Sequence, residues 1–169
     1  IIKGCNNISQ KQPSVKHSNN HGYQSSSNLH THRFMQPLMD WICEESVDAF
    51  NHLGCPRQHI LIDGCWFNIN NTLNAHNQIH IHSGILSGVL WVSVPEGSGN
   101  IVFDSPIPLE YWTQNIMETH SLKINNTNAS QTSTTPKEKT LLLWPSYLHH
   151  MVEPNKQNVQ RISISFNLG

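Results

Sequence analysis

Charge is scarce in this chain. Only 12% of its 169 residues are Asp, Glu, Lys or Arg, the formal net charge is -1 and the pI lies near 6.9. Without a basic field there is no electrostatic footprint for nucleic acid and no polybasic patch for anionic lipid, so neither partner is expected. Long apolar runs are missing as well: nothing approaches the roughly 20 residues needed to span a bilayer, and no membrane association is expected. The opening residues, IIKGCNNISQ, hold neither the apolar core of a signal segment nor a small-residue cleavage site, which predicts a cytoplasmic location. The initial Ile leaves the true N-terminus open. Cysteine is sparse too, and Cys5, Cys43, Cys55 and Cys65 form no C-x-x-C pair and no finger-like spacing with the histidines. A disulfide or zinc framework is thereby excluded in favour of buried or idle thiols. The N-x-S/T triplets at Asn7, Asn70, Asn125 and Asn128 are what chance supplies in so Asn-rich a chain.

What the chain has in abundance is histidine, with 12 residues. Most sit in polar or helical contexts, among them His17, His21, His30, His32 and His52, and read as solvated or structural. The exception is QIHIHS at 78–83. In an extended strand successive side chains alternate faces, so His80 and His82 project together while Ile81 points away. Two imidazoles so placed can share a divalent metal, and a third ligand from a distant strand would close one triangular face and leave the opposite positions open. That third candidate lies in WPSYLHHMVEP, where His149 and His150 point to opposite faces and only one enters a pocket.

The length predicts one domain over 1–169, large enough to bury about two-thirds of its unfolded surface. Residues 1–30 are polar with no sustained period and read as an irregular N-terminal arm, either an edge strand and loop or a lid over the site. Over 31–54 apolar residues recur at helical spacing, at Phe34, Leu38, Trp41, Ile42, Phe50 and Leu53, with Met35, Met39 and Val47 widening the stripe. This predicts one long supporting helix, stopped by Gly54 and Pro56. From 59 to 169 the period is two, with strands expected near 59–70, 78–83, 87–94, 100–104, 118–124, 140–144, 148–153 and 160–168. Eight strands behind a helix predict a mainly β fold, the double-stranded β-helix or cupin-like jelly roll. The turn PEGSGN reads as a hairpin connection, and 125–139 as a flexible insertion. On the last strand Arg161, Ser163 and Ser165 share one face and Ile162, Ile164 and Phe166 the other, so a buried Arg161 calls for an anionic partner.

The segments HIHSGILSGVLWV (80–92), PEGSGNIVFDSP (95–106), PSYLHHMV (145–152) and RISISFN (161–167), with GYQS (22–25) as a weaker match, together resemble the iron(II)- and 2-oxoglutarate-dependent oxygenases, and most of all a bacterial and phage branch of them. The resemblance implies Fe(II) as cofactor and 2-oxoglutarate as cosubstrate, with His80, His82 and His150 as catalytic metal ligands. It makes Arg161 the partner of the distal carboxylate of 2-oxoglutarate, Ser163 a neighbouring donor, and Asn68 and Asn70 further cosubstrate contacts. A guanidinium fork suits a carboxylate better than Lys would. The chain departs from the wider superfamily in one respect: His82 stands where an Asp or Glu is usual, so Asp104, a water or His76 remain alternatives for the ligand set. The expected reaction is hydroxylation of a small-molecule or peptide substrate with release of succinate and CO2. Two other readings stay open, a three-His cupin-type dioxygenase that needs no 2-oxoglutarate and a metal-free jelly-roll binding module. The oligomeric state stays open, and jelly rolls with open sheet edges often pair, which admits a homodimer.

Overall fold

The computed structural model describes residues 1–56, 59–107, 123, 125 and 128–169. Strand β10 (Arg161–Leu168) is its centre, hydrogen-bonded on one side to β3 (Ile62–Asn70) and on the other to β5 (Leu86–Ser93). With β2 (Tyr23–Gln24) beyond β3 and β8 (Leu141–Pro145) beyond β5, these make a larger sheet in the order β2-β3-β10-β5-β8. A second sheet, β1-β4-β9-β6-β7, is built from shorter pieces: β1 (Asn19–Asn20), β4 (His76–His80), β6 (Ile101–Asp104), β7 (Gln131–Thr134) and β9 (His150–Val152). Every pairing between these strands is antiparallel, and from β3 to β10 each connection except β6 to β7 crosses from one sheet to the other. That winding is the double-stranded β-helix.

The alternation in RISIS has an unusual outcome. Ile162, Ile164 and Phe166, with Ile69, Phe67 and Cys65 opposite them on β3, form an apolar face fully buried against the helices. Arg161, Ser163, Ser165 and Asn167 turn the other way, and this polar face is turned inward between the sheets rather than to solvent. Gly88 faces Phe166 across the pair, and a side chain there would run into the Phe166 ring and come within 2.8 Å of Leu143, so close packing requires glycine. A smaller apolar cluster of Val89, Trp91, Ile101 and Trp144 lies on the inner side of the sheets.

The supporting helix is α2 (Gln36–His52), entered through two single-turn 3-10 segments, Leu29–Thr31 and Arg33–Met35. Pro37 sits in its first turn, where a missing N–H costs nothing. Gly54, at φ +69°, ends it in the left-handed conformation expected of a glycine cap. Its buried stripe is Met39, Ile42, Ser46 and Phe50, while Phe34, Trp41, Val47 and Leu53 are exposed. The apolar arc is therefore narrower than the sequence pattern and rotated toward the methionines.

The N-terminal arm holds a ten-residue helix, α1 (Ile2–Lys11), which buries Cys5 and packs Ile8 against the main core. A helix this short is marginal alone, so tertiary packing of the face that carries Cys5 and Ile8 is what forms it. The arm then contributes β1 to one sheet and β2 to the other, turning at His21 (φ +55°) and Gly22. Of the two readings of the arm, the packed edge strand holds for these residues. Gln131–Thr134, inside the expected insertion, forms β7, and PEGSGN links the two sheets rather than closing a hairpin. The strand expected at 118–124 falls, apart from Lys123, outside the described residues. All four cysteines are free, and burial pushes Cys5 up to about 11 and Cys65 up to about 12, which leaves both thiols inert at neutral pH. Among the described residues no helix is long and apolar enough to cross a membrane.

Candidate metal centre

His80 ends β4 and stands directly opposite His150, the first residue of β9. Cross-strand neighbours in an antiparallel pair bring their side chains together, and the two ring centroids lie 4.4 Å apart. His82 lies just beyond the end of β4, where its backbone N–H donates to the Ser146 carbonyl at 3.1 Å, and its ring sits 4.8 Å from His80 and 5.0 Å from His150. One ring nitrogen from each of the three histidines falls within 4.8 Å of the others. His149, the neighbour of His150, is exposed and takes no part.

Two of the rings are fixed in the same way. Nδ1 of His80 hydrogen-bonds the Gln78 carbonyl at 2.6 Å and Nδ1 of His150 the Leu148 carbonyl at 3.0 Å, each two residues upstream. A carbonyl only accepts, so Nδ1 carries the proton and Nε2 presents its lone pair. Burial lowers the pKa of all three rings. His82 is pushed down to about 3 by burial and by its two imidazole neighbours, and His150 to about 4 by burial, partly opposed by the Leu148 carbonyl. His80 is lowered by burial against the pull of the Gln78 carbonyl. The triad is therefore neutral at neutral pH, the state in which imidazole coordinates a metal. Trp66 packs on His82 at 5.3 Å and Trp144 on His150 at 4.9 Å, which holds the rings in place.

The alternatives for the third ligand are not brought to this point. Asp104 accepts a hydrogen bond from Gln131 Nε2 at 2.9 Å and lines a separate hollow with Phe103, Ile107 and Leu142. His76 is committed through Nδ1 to the Asn74 carbonyl and through Nε2 to Asn20.

The triad opens into a cavity of about 490 Å³ between the sheets, and Arg161, Ser163 and Asn68 share its wall. Arg161 is only 3% exposed, and its Nη1 donates to the Gly99 carbonyl at 3.1 Å. Among the described residues no carboxylate lies within salt-bridge distance of it. Burial pulls its pKa down to about 10, which leaves it cationic at neutral pH. A buried cation with a single carbonyl partner is a receptor for an anion. Asn68 donates weakly to Ser165 at 3.4 Å, and its buried Oδ1 has no partner. Asn70 is fully buried beside Arg161 in register but is not part of the cavity wall.

Sequence reasoning missed two contributions. Gly99, read as turn geometry, supplies the carbonyl that holds Arg161, and a side chain there would collide with the Glu153 carbonyl. A spacing of glycines gives no hint of which carbonyl will accept a guanidinium. The arm supplies His17, Ser18, Gln24 and Ser27 to the cavity wall. The GYQS match touched this stretch, but only the pairing of β1 and β2 with different sheets brings it over the opening.

A family model described as "Putative 2OG-Fe(II) oxygenase" matches residues 64–167. No curated protein matches this sequence. Among solved structures, an oxidoreductase of the 2OG-Fe(II) oxygenase family from Burkholderia pseudomallei is 11% identical, with a TM-score of 0.64 over 99% of this chain and 78% of that one. A prolyl-4-hydroxylase from Pseudomonas putida is 12% identical, with a TM-score of 0.62 over 98% and 83%. The viral collagen prolyl hydroxylase of Paramecium bursaria Chlorella virus-1, solved with 2OG, is 12% identical, with a TM-score of 0.59 over 98% and 87%. At such identities these likenesses speak to the fold alone.

Proposed function

Since this chain belongs to the 2OG-Fe(II) oxygenase family, matched over 64–167, we propose that His80, His82 and His150 hold its iron and that Arg161 grips the distal carboxylate of 2-oxoglutarate, in a hydroxylase for a small-molecule or peptide substrate. The observation that carries this reading is the meeting of three neutral imidazoles, donor atoms within 4.8 Å of one another, in a cavity that also holds a buried guanidinium with no carboxylate partner among the described residues. The donor set suits the metal: imidazole nitrogen is a good ligand for divalent iron, and the two carbonyl-locked rings each present Nε2. Bound Fe(II) supplies the oxygen chemistry that couples oxidative decarboxylation of 2-oxoglutarate, to succinate and CO2, to hydroxylation of a C–H bond.

The protein's share is orientation and exclusion. Arg161, steadied by the Gly99 carbonyl, offers its remaining N–H donors to a carboxylate, and Ser163 stands two residues along the same face to add a hydroxyl. Asn68, whose Oδ1 is unpartnered, is a further polar contact for the cosubstrate or for the substrate beside it. Trp66, Trp91 and Trp144 displace water from the rest of the wall, which strengthens every polar contact within it. The arm residues His17, Ser18, Gln24 and Ser27 face the entering substrate.

Anaerobic addition of Fe(II) and 2-oxoglutarate is expected to give a visible charge-transfer band. Arg161→Gln should weaken 2-oxoglutarate binding by about a hundredfold, the worth of one charge-assisted contact, and leave metal affinity unchanged. Unaltered 2-oxoglutarate affinity in that variant would favour the second reading, a three-His dioxygenase that binds its substrate directly to the metal. The presence of His82 where an acid is usual is the observation on that side.

A further inference from the structure

The described wall of the cavity contains a single formal charge, that of Arg161. The other lining side chains are hydroxyls, carboxamides, imidazoles, aromatics and aliphatics, with no Asp or Glu among them. All three candidate ligands are neutral. Provided the ligand set proposed above holds, charge can be counted: a divalent metal contributes two positive charges and Arg161 one, and 2-oxoglutarate contributes two negative ones. One positive charge is left over. Where the third ligand is a carboxylate the same sum is zero, so the excess traces to His82. An unbalanced charge walled in part by Trp66, Trp91 and Trp144 favours an anion taken up beside it.

We propose that the loaded cavity holds a further, singly charged anion beside His82, supplied either by a carboxylate of the primary substrate or by a free inorganic anion. The carboxamide and hydroxyl lining fits this, since Asn68, Ser163 and Ser165 can hydrogen-bond the remainder of such a ligand without adding charge. A substrate presenting an ammonium to this wall would meet Arg161 and the metal with no acid to receive it. Discrimination against cations is therefore built into the donor set.

The test uses the full chain loaded with Co(II) and saturated with 2-oxoglutarate, with azide as the probe and the visible d–d absorption of the metal as the readout. Wild type and the neutral variant His82→Gln should bind azide with comparable affinity. His82→Asp, which restores the missing negative charge, should bind it about tenfold more weakly or worse. Displacement of azide by acetate would identify a substrate carboxylate as the natural occupant, and azide binding without displacement would identify a small inorganic anion; either result sustains the subsite. Equal azide affinity in His82→Asp and wild type, or no azide response in a wild-type protein that binds Co(II) and 2-oxoglutarate, overturns it while leaving the functional reading intact. A wild-type protein that binds no Co(II), or shows no spectral change with 2-oxoglutarate, overturns both. Should both variants lose the metal, the wild-type azide titration alone decides.

Discussion

The two sheets of this molecule divide the work unequally. The larger sheet, around β10, has long strands, six-residue or longer registers with both neighbours, and two buried faces, one sealed by helices and one lining the cavity. The smaller sheet is made of strands of two to five residues, with a register shift between β4 and β9 and with Ile79 and Ile81 about half exposed. Yet the smaller sheet carries all three histidines at or beside its strand ends, and the larger one carries Arg161. The larger sheet, despite a register shift on each side of β10, carries the long ladders and the main core, and the three histidines lie where strands are short or have just ended. A ladder that ends or shifts register frees side chains to converge on a point, whereas a perfect ladder holds them at fixed spacing.

The comparison can be broken from the larger sheet first. Phe166→Ala removes a fully buried ring from the face that meets the helices and should cost about 3–5 kcal/mol in chemical denaturation. A loss under about 1 kcal/mol would show that the helix-facing core is not what holds the fold. From the smaller sheet the effect should be functional instead. His150→Ala is expected to lower metal affinity by more than about a hundredfold, beyond what loss of a supporting contact to a ligand costs, with the denaturation midpoint of the metal-free protein little changed. Isothermal titration with Co(II) beside a urea series would check both halves, and a large stability loss would erase the proposed division.

The gentlest probe is pH. Burial holds folded His82 and His150 near 3 and 4, whereas an unfolded histidine titrates near 6.5. Protons therefore bind the unfolded chain first, so the contribution of these rings is complete above about pH 6.5 and declines as pH falls from there toward about 3. Urea midpoints of the metal-free protein should drop over that interval more in wild type than in His82→Gln. Equal slopes would mean that the triad titrates as if exposed.

Much of the larger sheet was legible because its alternation is strict. Ile162, Ile164 and Phe166 could only be one face, and Arg161, Ser163 and Ser165 only the other, whatever surrounded them. Which face met the helices and which the cavity was not written there, since an inward polar face and an outward one read alike. The spacing singled out His80 and His82 and allowed only one of His149 and His150 to join them, yet β4 ends at His80 and β9 begins at His150, so His82 and His149 are directed by the turns beside the strands and not by alternation within them. Helix α1 escaped notice although Ile2, Cys5 and Ile8 recur at helical spacing, because ten mostly polar residues offer few such positions, and strand β7 because its four residues are all exposed. Trp41 and Val47 were misassigned to the buried stripe because an apolar residue at helical spacing costs little when left exposed.

By itself the sequence determined periodicity, and with it the sheet, the long helix and the sidedness of every strand that mattered, because side-chain direction along a strand is a local property of the backbone. Only the tertiary structure decided which distant residues meet. The cross-strand register that sets His80 against His150, the turn that presents the Gly99 carbonyl to Arg161, and the arm that adds to the cavity wall all depend on contacts between segments far apart in the chain. Such contacts are fixed by how whole surfaces pack and leave no local trace.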